Sequence, residues 1–298
     1  MAESPSHKIG QIIGDLLELS LEPLLQDLAE KYKVYLDKKG TRPARGRNKK
    51  LTWMDKYGNK HDLDFVMEKE GTDQKIGYPI AFIEVAWRRY TKHSRNKAQE
   101  IQGAIIPLRD TNYIHAPFIG VLLAGEFTEG ALQQLHSLGF NILYFPYETV
   151  IEAFQKVGVD VSFDEDTPTE VLKEKVNEME ELSEEQYQAV AHYLYEINSD
   201  RVHHFTDKLE QSLNRQIEII RIIPLRGNSY QVQTINDAIR FIEDYDEDSI
   251  DADTFQKYEI TIKYNNDDKI EGQFNNKDRA LHFLYYYLPP EYRPVIED

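Results

Sequence analysis

The chain has 298 residues and a mass of 34.9 kDa, and its 41% hydrophobic content is enough for a sizeable core. It contains no cysteine, which excludes disulfides, thiolate metal sites and cysteine nucleophiles. No apolar run reaches the roughly 20 residues that a transmembrane helix needs, and residues 1–10 are too polar for a signal peptide. We therefore expect a cytoplasmic protein without a membrane partner.

The formal net charge of −17 argues, taken as an average, against a nucleic-acid partner. The charge is unevenly distributed, however. Residues 1–147 hold 20 Lys+Arg and 18 Asp+Glu, whereas residues 148–298 hold 15 and 34. Residues 31–60 alone contain 11 basic and 2 acidic residues. A second basic cluster consists of Arg88, Arg89, Lys92, Arg95 and Lys97. These two basic patches remain compatible with DNA binding.

Hydrophobic periodicity predicts alternating helices and strands in residues 1–158, the first of three expected domains. A long amphipathic helix is predicted over residues 9–33, with a kink or break near Leu21 because Pro23 lies inside it. The elements predicted after it are strands at 34–36, 51–54, 62–67 and 79–87, a helix at 94–105 capped by Ser94, a strand at 117–124, a helix at 128–138, a strand at 141–145 and a helix at 149–157. This order predicts an α/β fold with a partly parallel sheet.

The remaining chain is predicted to form an acidic helical region at 159–216 and a small α+β domain at 217–298. In the latter, a weak repeat with a period of 42 residues matches Ile220 to Ile262 and Ala238 to Ala280. Each copy reads as strand, turn, strand and helix, with turns at 226–229 and 265–268. Chance similarity of short amphipathic segments is the alternative. Recognition, dimerisation or regulation is the expected role of this domain.

Two acidic residues on successive predicted strands are the main candidate site. Glu84 interrupts an apolar strand, where a charge is costly unless it is paired or binds a metal. If the two strands are neighbours, Asp64 and Glu84 converge. Two carboxylates suit Mg²⁺, which activates water and neutralises phosphodiester charge. Salt bridges to Arg88 or Lys97 are the alternative explanation, and Asp62 is an alternative ligand because it shares the strand parity of Asp64.

This pattern resembles the PD-(D/E)xK nuclease superfamily, whose restriction-endonuclease-like core runs helix, three strands, helix, strand. In that family an Asp opens the second core strand, and an acid followed two residues later by a lysine lies in the third. Asp64 and Glu84 match the two acids, but Ala86 stands at the lysine position. The resemblance covers the first half of the chain. It implies an αβββαβ core, a Mg²⁺ cofactor and hydrolysis of double-stranded DNA.

Because the motif lysine is missing, the resemblance implies that another residue supplies the base, and the following helix is the expected source. Lys97 is the first choice, then Lys92, then Arg88. The resemblance also implies a carboxylate on the first helix that supports the metal shell. Glu22 is preferred over Glu18 for that role because of its distance from the first strand.

Basic residues are the usual source of DNA affinity, since they release counterions from the phosphates. The residues expected to contact DNA are Arg88, Arg89, Lys92, Arg45 and Arg47. For the loop at 38–50, a flexible solvated segment is the alternative. Trp53 and Trp87 are predicted to pack in the core rather than to stack on bases, and His203 and His204 to form an ordinary surface pair.

Together these features predict a Mg²⁺-dependent endodeoxyribonuclease most similar to a type II restriction endonuclease. Asp64 and Glu84 would hold the metal, and Lys97 would orient or deprotonate the attacking water. A homodimer is expected, since cutting both strands places two sites across a two-fold axis. The alternative is a non-catalytic or regulated DNA-binding protein of phage defence on the same fold, whose acidic C-terminal part controls access.

Overall fold

A computed structural model describes residues 4–224, 228–247 and 257–294, and the chain divides into two compact units. The first unit contains Met1–Asn112 and Pro117–Leu213, and the second contains Tyr113–Ala116 and Asn214–Asp298. The acidic helical stretch is therefore part of the first unit, and it does not form the separate region predicted at 159–216.

The first unit is built on a mixed β-sheet, which agrees with the predicted α/β class. Its strands are β1 (Tyr35–Lys38), β2 (Leu51–Met54), β3 (Lys60–Leu63), β4 (Phe65–Lys69), β5 (Tyr78–Arg88), β6 (Phe118–Gly125) and β7 (Asn141–Pro146). Five of them form a sheet in the order β1-β4-β5-β6-β7, while β2 and β3 pair as a separate hairpin. The pairs β1–β4 and β4–β5 are antiparallel, and β5–β6 and β6–β7 are parallel. Every residue of β6 is buried, as expected for a central strand covered on both faces.

Helix α1 (Pro5–Tyr32) packs its apolar stripe against one face of this sheet. The Ser4 side chain caps the helix by accepting a hydrogen bond from the His7 amide. The helix continues through Pro23, so the break predicted near Leu21 does not occur. Pro23 leaves the carbonyl of Leu19 without its helical donor, and Leu19 lies on the exposed side, where water can solvate that oxygen.

Helices α2 (Ser94–Thr111) and α3 (Glu129–Ser137) cover the opposite face. Helix α2 is longer than predicted, because Pro107 is accommodated inside it and the helix does not end at Ile105. Ser94 is its first helical residue and does not cap it. The Ser94 hydroxyl instead donates to the Thr91 carbonyl over 2.7 Å.

Further α-helices among the described residues of the first unit are α4 (Tyr147–Gln155), α5 (Thr169–Glu180), α6 (Glu184–Ile197) and α7 (Ser199–Leu213). Their buried apolar residues share one core with α1, among them Leu172, Met179, Val190, Leu194, Val202, Phe205 and Leu209. Acidic side chains such as Glu174, Glu178 and Glu185 face outward. The strong acidity of this stretch therefore lies on the outer surface of a packed helical layer. No helix within the described residues is both long and apolar enough to cross a membrane.

Within its described residues, the second unit contains two strand–strand–helix copies. They are β8 (Ile217–Pro224), β9 (Tyr230–Val232) and α8 (Ile235–Asp244), then β10 (Tyr258–Tyr264), β11 (Lys269–Phe274) and α9 (Lys277–Tyr285). The sheet order is β11-β10-β8-β9, with every pair antiparallel. The N-caps Thr234 and Asn276 lie 42 residues apart, and Ile220 pairs directly with its repeat equivalent Ile262. The copies are therefore related by a local two-fold axis. The turn predicted at 226–229 lies partly outside the described residues.

Candidate active site

Asp64 and Glu84 lie opposite each other on neighbouring strands. The antiparallel pairing of Phe65 with Ile83 places Asp64, the residue just before β4, across from Glu84 in the middle of β5. The Asp64 Oδ2 atom accepts a hydrogen bond of 2.8 Å from the Val85 amide, which fixes its carboxylate against β5. The structure therefore brings together the two acids that the sequence singles out.

Asp62, the alternative first acid, lies apart from this pair. The strand predicted over 62–67 is in fact two strands, β3 and β4, which belong to different sheets. Asp62 lies on the hairpin, where its carboxylate accepts hydrogen bonds of 2.6 Å from both the Lys50 ammonium and the Thr52 hydroxyl. Of the two residues, Asp64 is the one that lies across from Glu84.

Glu84 is the most unusual residue of the site, because it is only 8% exposed. Its Oε1 atom is buried and has no hydrogen-bond partner. Burial, followed by the charge of Asp64, raises the pKa of Glu84 to about 8, and the charges of Lys97 and Lys39 oppose this rise only in part. A buried carboxyl oxygen without a partner is costly, and a bound cation would satisfy it.

Lys39, directly after β1, is the residue that the sequence did not reveal. Its Nζ atom lies 2.8 Å from Asp64 Oδ1 and 2.8 Å from Glu18 Oε1. Burial lowers the pKa of Lys39, but the hydrogen bonds to Asp64 and Glu18 outweigh it and raise the pKa above its usual value. In the sequence, Lys39 is one of many basic residues between 31 and 60, so only its place at a strand end could have distinguished it.

Of the two α1 acids considered for metal-shell support, Glu18 is the one that shares Lys39 with Asp64, and Glu22 is the one preferred from the sequence. Glu22 forms an ion pair with Lys38 instead. Lys38 ends β1 and Lys39 follows it, and the two lysines contact acids one helical turn apart. Burial raises the pKa of Glu18, and the nearby Asp64 charge adds to the effect.

Lys97, the predicted base, lies in the first turn of α2 with its side chain 15% exposed. Its Nζ atom is 3.0 Å from Glu100 Oε1, and its positive charge acts on the Glu84 carboxyl. Lys92, the second choice, forms an ion pair with Glu165. Arg88, the third, lies 3.7 Å from Glu100. Lys97 is thus the α2 cation whose charge acts on Glu84.

Two of the residues expected to contact DNA stabilise the fold instead. The Arg89 guanidinium lies 4.0 Å from the centre of the Tyr147 ring and donates to the Phe163 carbonyl. The Arg45 side chain is 6% exposed and donates to the backbone carbonyls of Lys38, Gly40 and Lys50. The guanidinium groups of Arg89 and Arg45 are therefore enclosed and bonded within the fold.

The basic loop is anchored by Arg42, so it is not the flexible segment considered for residues 38–50. Arg42 is 1% exposed, and its guanidinium binds Asp37 over 2.6 Å and both Glu68 oxygens over 2.7 and 2.9 Å. It also donates to the carbonyls of Thr72 and Lys75. Arg47, by contrast, is exposed on this loop.

The two tryptophans pack against the protein and the pair His203 and His204 lies on the surface, as the sequence predicts. Trp53 packs edge-on against Phe82 with ring centres 5.9 Å apart, and Trp87 is buried. His203 and His204 are exposed. Across residues 4–224, 228–247 and 257–294, no three His, Asp or Glu side chains are already arranged to hold a metal ion. At the Asp64 site, an ammonium group lies among the carboxylates instead.

Comparison with known proteins leaves the family of this chain open. No protein-family model matches the chain, and no curated protein matches it. One solved structure that is similar in part is described as "Crystal Structure of Protein of Unknown Function AF1548". Its sequence identity is 12% and its TM-score is 0.29, over 62% of this chain and 98% of the other. A similarity this low carries no argument about function.

Proposed function

We propose that the protein is a divalent-metal-dependent endodeoxyribonuclease of the PD-(D/E)xK type. The observation that carries this proposal is the pairing of Asp64 with a buried Glu84 whose Oε1 has no hydrogen-bond partner. The strand arrangement supports it. The order α1, β1, β4, β5, α2, β6, with two antiparallel pairs and then a parallel one, agrees with the core order of that superfamily, and the β2–β3 hairpin is an insertion.

The residues present fit a magnesium ion. Asp64 and Glu84 would hold it, because Mg²⁺ commonly takes one or two carboxylates and fills its other positions with water and phosphate oxygens. When bound, the ion would supply charge neutralisation at the phosphodiester and an activated water. Glu84 has to give up its proton to serve as a ligand, and the neighbouring positive charge of Lys97 favours the ionised form.

The other residues then have distinct roles. Lys97 would orient or deprotonate the water, or donate to a phosphate oxygen, from the first turn of α2. Arg88, Lys92 and Arg47 keep side chains that are at least partly exposed, and we propose that they contact the DNA backbone. The substrate is double-stranded DNA, and a homodimer would cut both strands, as in a type II restriction endonuclease.

The decisive experiment compares Asp64→Asn with Asp62→Asn in a plasmid assay containing Mg²⁺ or Mn²⁺. Wild type should cleave the plasmid. Asp64→Asn should lose activity by more than about 100-fold, the upper end of the loss that changing an outer-shell partner of a metal causes. Asp62→Asn removes the same charge two residues away and should retain activity. Full cleavage by Asp64→Asn would refute the assigned site. DNA binding without any cleavage by wild type would favour the non-catalytic alternative.

A second pair of variants tests the role of Lys97. Lys97→Met should reduce cleavage by about 100-fold or more, in the range of general acid–base contributions. Lys92→Met, which removes an exposed partner of Glu165, should reduce cleavage much less, and mainly at lower salt, where a phosphate contact contributes most to DNA affinity. Initial rates at two salt concentrations measure both effects. If Lys92→Met is the inactive variant, the assignment to Lys97 is wrong.

A further inference from the structure

One ammonium group bridges two carboxylates at the edge of the candidate site. Lys39 Nζ is 2.8 Å from Asp64 Oδ1 and 2.8 Å from Glu18 Oε1. The three residues come from different elements, since Glu18 lies on α1, Lys39 follows β1 and Asp64 precedes β4. The fold therefore delivers a positive charge to the carboxylate that the proposed function assigns to a metal ion.

The ammonium does not satisfy the whole site. Glu84 Oε1 remains buried without a hydrogen-bond partner although Lys39 is close enough for its charge to act on the Glu84 carboxyl. A divalent ion between Asp64 and Glu84 would contact both acids. The resident ammonium and the ion thus compete for Asp64, but only the ion offers a partner to Glu84.

The ammonium group of Lys39 is also well placed to move away from Asp64. Its side chain is 54% exposed, whereas that of Asp64 is 11% exposed. The flexible four-carbon stem of lysine allows the ammonium to move. Glu18 offers a second carboxylate that can retain the ammonium after Asp64 has been released.

We propose that Lys39 is a tethered cation that a divalent metal ion must displace from Asp64, with Glu18 retaining the displaced ammonium. This inference rests on the proposed metal site but not on DNA cleavage. It makes Lys39 a residue that sets metal affinity. Lys39 offsets part of the negative charge of the acids when the metal is scarce, and it weakens metal binding by the cost of its displacement.

Isothermal titration of the full-length protein with Mn²⁺ tests this competition. Lys39→Met removes the competing charge and should tighten Mn²⁺ binding by about tenfold, which corresponds to about 1.4 kcal/mol. Lys38→Met is the matched control, because it deletes the same charge from the adjacent residue, whose partner is Glu22. Its Mn²⁺ affinity should stay within about twofold of wild type, since exposed charges act weakly through water. Equal or weaker binding by Lys39→Met than by Lys38→Met would overturn the inference.

Lys39→Arg provides an independent measurement if the neutral variant folds poorly. A guanidinium holds carboxylates through two hydrogen bonds and is harder to displace. Mn²⁺ binding should therefore weaken severalfold, and an unchanged affinity would contradict the inference. If Lys39 competes with Mn²⁺ in a protein that cleaves no DNA, the nuclease proposal is rejected and the inference about Lys39 is kept. If neither wild type nor Lys39→Met binds Mn²⁺, the inference is rejected together with the metal site.

Discussion

Glu84→Gln should make the protein more stable at alkaline pH, by about 2 to 4 kcal/mol at pH 9. In the native state, burial and Asp64 raise the pKa of Glu84 to about 8 from an ordinary value of 4.5. Native Glu84 therefore keeps a proton that the unfolded chain has lost. This contribution to stability is fully present below pH 4.5 and is lost as the pH rises towards 8. An isosteric neutral amide avoids the loss, although burying its polar group offsets part of the gain.

Urea unfolding of wild type and Glu84→Gln at several pH values between 4.5 and 9 measures this effect. The two proteins should be most alike at the acidic end and should diverge steadily as the pH rises. Glu178→Gln is the control, since it makes the same chemical change on the exposed face of α5. Two parallel stability curves for wild type and Glu84→Gln would show that Glu84 titrates normally.

The order of stability of wild type and Glu84→Gln should reverse when metal is added. Metal binding requires an ionised Glu84, so Mn²⁺ should bind wild type more tightly at pH 9 than at pH 6.5 and should stabilise it by mass action. Glu84→Gln has no carboxylate at this position, so Mn²⁺ should add little to its stability. A metal ligand is expected to lower the stability of the metal-free protein and to raise the stability of the metal-bound protein.

Arg42→Met should destabilise the protein by about 3 to 5 kcal/mol, the usual effect of removing one partner from a buried ion pair. The substitution leaves Glu68, which is 0% exposed, without this counter-ion, while Asp37, which is 3% exposed, keeps Arg45 at 3.2 Å. It also leaves the carbonyls of Thr72 and Lys75 without this donor. Because Arg42 joins the basic loop to β1 and β4, the loss should extend to the position of Lys39.

Arg47→Met is the matched control for Arg42→Met, since it removes the same charge from the exposed part of the same loop. Its stability should stay within about 0.5 kcal/mol of wild type, as is usual for surface substitutions. The denaturant midpoints of the two variants provide the comparison, as long as the slope of the free energy of unfolding against denaturant concentration is unchanged. A loss below about 1 kcal/mol for Arg42→Met would mean that its two acids find other partners.

The convergence of Asp64 and Glu84 could be predicted from the sequence because it needs only local rules. Side chains alternate along a strand, and consecutive strands tend to be neighbours, so two acids in consecutive strands meet when their registers match. The period of 42 residues in the second unit was detectable for a similar reason. Equivalent positions repeat there over whole elements, including both helix caps.

The contacts of Lys39 and Arg42 could not be predicted in the same way, because they depend on where separate segments meet in space. Choosing between Glu18 and Glu22 requires the rotation of α1 about its axis, which tertiary packing determines. Arg42 had an overlooked signal in Glu68, which follows the apolar residues Phe65, Val66 and Met67 and is fully buried. Glu68, like Glu84, is an acid next to apolar strand residues, where burial of its charge requires a basic partner.

The direct pairing of Ile220 with Ile262 has a consequence for how the second unit unfolds. Equivalent strands of the two copies form the centre of one sheet, and α8 packs against α9, so neither copy has a separate core. A cavity made in one copy, for example by Ile262→Ala, weakens the neighbouring strand of the other. The two halves should therefore melt in a single cooperative transition, and the second unit behaves as a dimer whose subunits are joined covalently.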